Sequence, residues 1–126
     1  MKYLIIGAGG TGGPLGFYLT KAGKDVTLIA RGAHLKALNE HGLTMDRLWN
    51  GTTENIPVKA VDMEHYDEQS DVILVCVKGY SLDDTVPFIR KVMKKNTIVI
   101  PILNIYGTGG RLQKQLPEIL VTDGCI

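Results

Sequence analysis

The sequence predicts an α/β fold, a doubly wound and mainly parallel sheet, on three observations. Short apolar runs alternate with segments of helical period along the whole chain. A glycine-rich turn joins the first run to the first helical segment. One inner run, Val72-Ile73-Leu74-Val75-Cys76-Val77, is continuously apolar, as a central parallel strand buried on both faces should be.

The elements can be placed in chain order. The first strand is read at Lys2 to Ile6. The first helix is read from Thr11 to Ala22, with Leu15, Leu19 and Ala22 on one face and Gly12 and Gly16 forming a small-residue face against the sheet. Gly23 fits the residue just past a helix end. A second strand spans Asp25 to Ala30, and a short helix spans Ala33 to Glu40, stopped near Gly42. Met45 to Trp49, then Asn50-Gly51, then Thr52-Thr53 reads as a β-hairpin, because an Asn-Gly turn needs positive φ at both central residues. Pro57 confines the returning segment to an edge or a strand start, and Val58 and Val61 are expected to continue it. Trp49 is given no functional role. Asp71 to Lys78 is the inner strand. Ser81 caps a helix with acids at Asp83 and Asp84, ending in Lys91, Lys94 and Lys95, where cations complement the dipole. Thr97 to Ile100 is the next strand, Leu112 and Leu116 mark a short helix, and Glu118 to Thr122 is a last strand.

Composition narrows the function. The 126 residues are 44% hydrophobic and 21% charged, enough for one core and not two. A net charge of +1 gives no electrostatic basis for a nucleic-acid or membrane partner. The apolar runs are too short to span a bilayer. Met1-Lys2 leads directly into a strand, so no signal peptide is expected and the location read is cytoplasmic. Cys76 and Cys125 have no metal-ligand spacing and read as reduced thiols. His34, His41 and His65 lack acids or thiols at metal spacing and read as surface histidines, so no metal is expected.

The chemistry is expected at the carboxyl ends of the strands. Gly7-Ala8-Gly9-Gly10-Thr11-Gly12 places G-x-G-x-x-G between a buried strand and a helix, the dinucleotide-binding arrangement. Gly7 permits a sharp turn, Gly9 removes a Cβ where the backbone meets a pyrophosphate, and Gly12 lets the helix press on the strand. The helix start, with Pro14 in its first turn, points free N–H groups at the phosphates. Arg31 stands where an NAD-binding domain carries an acid for the ribose 2′-hydroxyl. A guanidinium there suits a 2′-phosphate, so NADP is favoured over NAD, the other reading being an exposed surface arginine. Lys78 reads equally as a phosphate, ribose or carboxylate contact or as a solvent-facing lysine. Asn104 reads equally as a partner for ribose or carboxamide or as a turn residue.

Residues Met1 to Gly13 and Ala22 to Arg31, with Val75-Cys76-Val77-Lys78-Gly79-Tyr80 and Ile100-Pro101-Ile102-Leu103-Asn104, resemble the N-terminal domain of the ketopantoate reductase (2-dehydropantoate 2-reductase) family along the whole chain. The resemblance implies a Rossmann-type domain over residues 1–126 of an NADPH-dependent oxidoreductase. Such an enzyme reduces 2-dehydropantoate, or a related 2-keto acid, to pantoate for coenzyme A biosynthesis. It implies that Gly7 to Gly12 hold the pyrophosphate, that Arg31 holds the 2′-phosphate, and that Lys78 and Asn104 border the nicotinamide ribose and the substrate. Ile105 departs from the family's glycine after the asparagine, with Gly107, Gly109 and Gly110 as sources of backbone room. Family members carry a second, helical domain with the catalytic lysine and a substrate-binding glutamate. This sequence holds neither, so it is read as a cofactor-binding fragment, able to bind NADPH and inactive alone. Two other functions fit the glycine motif. One is an NAD(P)-sensing regulatory domain of the kind that gates potassium transport, against which Arg31 argues. The other is a different NADP reductase with a helical second domain, such as an imine reductase, against which Lys78 with Asn104 argues.

Overall fold

A computed structural model describes residues 1–7, 12–47, 51–76, 82–102, 113–114, 116–117 and 119–122. The order of elements is β1 (Lys2–Ile6), α1 (Gly12–Lys21), β2 (Asp25–Ile29), α2 (Gly32–His41), β3 (Leu43–Arg47), β4 (Thr52–Ile56), β5 (Lys59–Val61), β6 (Ser70–Val75), α3 (Leu82–Val92), β7 (Met93–Pro101) and β8 (Leu120–Val121). Six strands form one parallel sheet in the order β5-β2-β1-β6-β7-β8, and β3 with β4 makes a separate antiparallel hairpin.

Alternation along β1 explains the two-sided burial. Leu4 and Ile6 point into one cluster with Ile73, Val75, Phe88, Ile89 and Val99, while Ile5 points into the other with Val26, Leu74 and Cys76. The helix α1 lies on the second face through Leu15 and Leu19. Its most buried large side chain is Phe17, which the i, i+4, i+7 reading passes over, while Ala22 falls beyond the helix and is exposed. Gly23 ends α1 at φ +81°, with Gly23 N–H bonded to Thr20 and Lys24 N–H to Leu19, a Schellman closure that spares the last carbonyls.

Three expectations are corrected. The segment Lys59–Val61 does not extend the hairpin but pairs with β2 as the edge of the main sheet. Pro57 stops β4 at Ile56, and Ala60 and Val61 then pack on opposite faces, which the hairpin could not offer them. The helix α3 stops at Val92, so Lys94 and Lys95 belong to β7 instead of complementing a helix dipole. Lys94 finds its counter-charge in Asp71 of β6. Between them the ladder slips, since Ser70 pairs with Met93 but Val72 pairs with Ile98. The Thr97 hydroxyl absorbs the irregularity by accepting Lys94 N–H at 2.8 Å and donating to Ser70 O at 2.6 Å. The last strand is shorter than read, at Leu120–Val121. The hairpin is found with the turn glycine Gly51 at φ +67°; Leu48, Trp49 and Asn50 lie outside the described residues, as do Ser81, Leu112 and Cys125.

The amino-terminal edge of the sheet is a row of opposite charges. Lys59 pairs with Asp25, Lys2 with Glu68, and Lys94 with Asp71, whose carboxylate also accepts Lys2 N–H at 2.6 Å. Lys59 holds the Asp25 carboxyl below its ordinary pKa, and Lys94 does the same to Asp71. A carboxyl lowered on folding stabilises the native state above its unfolded pKa, and that contribution is lost as pH falls through the folded value. The melting temperature is therefore expected to hold from neutrality to about pH 5 and to fall below about pH 4. Asp71→Asn should flatten that acid limb in a calorimetric pH series; an unchanged limb would contradict the assignment.

Candidate nucleotide site

The register sets the site. Ile6 lies level with Ile29 on one side and Val75 on the other. Chain order runs outward through β2 and β5 on one side and through β6, β7 and β8 on the other, so it reverses between β1 and β6. A crevice at the carboxyl ends of the strands opens at such a reversal.

Gly7 leaves β1 at φ +96°, a conformation open to glycine, with its N–H bonded to Ile29 O at 3.2 Å. Gly12 begins α1 directly against that turn. A Cβ built on Gly12 would stand 1.8 Å from the Gly7 carbonyl oxygen and 3.0 Å from Ile5 Cγ2. The helix start is thus seated on the strand exit with backbone against backbone. Gly16 repeats the approach one turn later, where a Cβ would meet Leu28 Cδ2 at 2.6 Å. Ala8, Gly9, Gly10 and Thr11 lie outside the described residues.

Arg31 stands at the same edge. Ala30 follows β2 level with Gly7, and Arg31 comes next as the exposed N-cap of α2, with φ −150° and ψ 162°. The Arg31 side chain makes no capping bond to that helix start, and neither α1 nor α2 has an acid in its first turn. Two positive helix ends therefore flank the exits of β1 and β2 without a carboxylate of their own to offset them. Gly7, Gly12 and Arg31 all lie at this one edge of the sheet. Lys78 and Asn104 lie outside the described residues, each two positions after the described residue, Cys76 or Ile102, that follows the neighbouring strand β6 or β7.

The end of β5 also reaches this edge, which the hairpin reading of residues 58–61 hid. Ala30 N–H bonds Val61 O at 3.1 Å, so Asp62 emerges beside the end of β2. The alternation of Ala60 and Val61 after Pro57 was the available signal. Asp62 is already engaged, accepting His65 N–H at 2.8 Å and contacting His65 Nδ1 at 2.6 Å. That pairing lowers the Asp62 pKa and raises that of His65. Cys76 is a buried thiol pushed up to about 11 by desolvation, which leaves it protonated and unreactive. Among the described residues no cluster of His, Cys, Asp or Glu could hold a metal, and no helix is long and apolar enough to cross a membrane.

The edge has what a dinucleotide needs: backbone approach without Cβ atoms, two helix starts, and a guanidinium. Comparison with known proteins agrees. The model of the ketopantoate reductase family, described as ketopantoate reductase PanE/ApbA, matches residues 3–126. The 2-dehydropantoate 2-reductase of Pyrococcus horikoshii is 32% identical over 119 residues, which is 90% of this chain and 36% of that protein. The chain thus spans little more than a third of such a relative. The crystal structure of 2-dehydropantoate 2-reductase from Porphyromonas gingivalis W83 superposes with a TM-score of 0.83 at 32% identity, covering 99% of this chain and 46% of that one. D-mandelate dehydrogenase, solved with NADH and anilino(oxo)acetate, superposes with a TM-score of 0.82 at 31% identity, covering 94% of this chain and 39% of that one. The glycine-lined strand exit and the match along nearly the whole sequence lead to one conclusion: this chain belongs to the ketopantoate reductase family, a family of oxidoreductases.

Proposed function

We propose that residues 1–126 are the NADP-binding domain of a longer, two-domain cytoplasmic reductase. Its substrate is 2-dehydropantoate or a related 2-keto acid, reduced with NADPH to pantoate or the matching hydroxy acid. The observation that carries this reading is the Gly12 seat: the helix start rests on the Gly7 carbonyl with no room for a Cβ. Gly7 to Gly12 would hold the pyrophosphate against the start of α1. Arg31, at an α2 start without an acid, would take the 2′-phosphate. Lys78 and Asn104 would border the nicotinamide ribose and the keto acid, Lys78 as a point charge and Asn104 as donor and acceptor. Bound NADPH supplies the hydride. The protein's part here is to orient, and the proton donor and remaining substrate contacts belong to the second domain.

The relative solved with NADH favours a second reading, an NADH-dependent 2-keto acid reductase. Calorimetric titration of the purified chain separates the two. NADPH is expected to bind about 100-fold tighter than NADH, the worth of charge-assisted bonds to one extra phosphate. Equal affinities, or tighter NADH, would move the assignment to the second reading. Binding of neither nucleotide would remove the site. The same chain mixed with NADPH and ketopantoate should oxidise no cofactor; turnover would overturn the two-domain part of the proposal.

A further inference from the structure

Asp62 and His65 form a closed pair on the turn that leaves β5. The Asp62 carboxylate accepts His65 N–H at 2.8 Å and contacts His65 Nδ1 at 2.6 Å, and Tyr66 N–H bonds Asp62 O at 3.2 Å. The register fixes where this turn starts. Val61 is level with Ile29 and accepts Ala30 N–H at 3.1 Å, so Asp62 leaves β5 level with Ala30, one residue before Arg31. Neighbouring strands lie about 4.8 Å apart. The Asp62 backbone therefore stands beside that of the residue expected to take the 2′-phosphate. A lone carboxylate there would repel a phosphate and compete with it for the guanidinium, whereas one paired with an imidazolium carries no net charge to the site.

We propose that the Asp62–His65 pair sets the nucleotide selectivity of this edge. With the imidazole protonated the pair is neutral and admits the 2′-phosphate. With the imidazole neutral, the Asp62 charge is uncompensated and disfavours NADPH against NADH. This selectivity presupposes the nucleotide site proposed above. The hydrogen bond to Asp62, and then its charge, raise the His65 pKa from its ordinary 6.5. The change therefore falls near and above neutrality, where a phosphate with a second pKa of about 6 is already a dianion. Glu64 beside His65 and Lys91 of α3 also act on it, with opposite signs. Tyr66, next along the turn, is buried with its hydroxyl on Ser70 Oγ at 2.9 Å.

The test is calorimetric titration of the 126-residue chain with NADPH and with NADH, from about pH 6.5 to about pH 9 at low ionic strength, where exposed charges are least screened. In the unmodified chain the ratio of NADPH to NADH affinity is expected to fall about threefold as pH rises. His65→Gln should hold the low ratio throughout, and Asp62→Asn the high one, with NADH affinity unchanged in both. The midpoint of the fall should coincide with the titration of the His65 ring followed by NMR. A ratio independent of pH, with NADPH still preferred, would overturn the role of the pair and leave the nucleotide site standing. So would a fall that persists in His65→Gln. A midpoint away from the His65 titration would do the same, and this readout on the unmodified chain decides the matter even if a variant fails to fold. If neither nucleotide binds, the site and the selectivity fall together.

Discussion

Gly12→Ala is expected to cost the domain about 3 kcal/mol or more and to abolish nucleotide binding. The added Cβ would stand 1.8 Å from the Gly7 carbonyl oxygen, a backbone atom that no rotamer change can move aside. Relief requires α1 to slide off β1, which opens the packing of Leu15, Leu19 and Phe17 and displaces the helix start from the crevice. The melting temperature should fall by about 10 °C for a loss of this size. Gly23→Ala is the control. It faces nothing within 4 Å and bears only the strain of φ +81°, worth about 1 kcal/mol. Thermal denaturation of the two variants side by side checks this. Equal losses would mean that backbone conformation, not the close approach of α1, governs both positions.

Arg31→Ala is expected to weaken NADPH about 100-fold, near 2.7 kcal/mol, while leaving NADH within about twofold. The two nucleotides differ by one phosphate, and Arg31 is the cation at the β2 exit beside an α2 start without acids. Arg31→Lys should fall between, since an ammonium keeps the charge and loses the bidentate fork. The difference between NADPH and NADH should shrink with added salt in the unmodified chain and vanish in Arg31→Ala. Equal weakening of both nucleotides would place Arg31 in helix support instead of phosphate recognition.

What could be read from the residues depended on how local the determining physics is. β1, β2 and the turn at Gly7 were legible because an apolar run, a positive-φ glycine and a helix start act within a dozen residues. The hairpin was legible through Gly51 for the same reason. β5 was not, because its membership is decided by β2, some thirty residues earlier, which offers Lys59–Val61 a partner that the hairpin does not. The lysines after α3 were misplaced because the helix passes into β7 without an intervening loop, and Asp71, distant in sequence, draws Lys94 onto the sheet. Phe17 escaped because it is two residues from both Leu15 and Leu19, on the far flank of the buried glycines Gly12, Gly13 and Gly16 and off the leucine stripe that the periodicity follows. At the candidate site, Gly7, Gly12 and Arg31 stand at one sheet edge, and the Asp62–His65 pair entered only with the placement of β5 beside β2.

One nucleotide is expected to lie across the strand exits of β1 and β2. Amide chemical-shift mapping with added NADPH tests it most directly. The largest shifts are predicted at Gly7, Gly12, Gly13, Arg31 and Gly32, with little change at Lys2, Asp25, Asp71 and Lys94 on the opposite edge. Shifts concentrated on that opposite edge, or on the hairpin, with Gly7 and Gly12 unmoved, would contradict it.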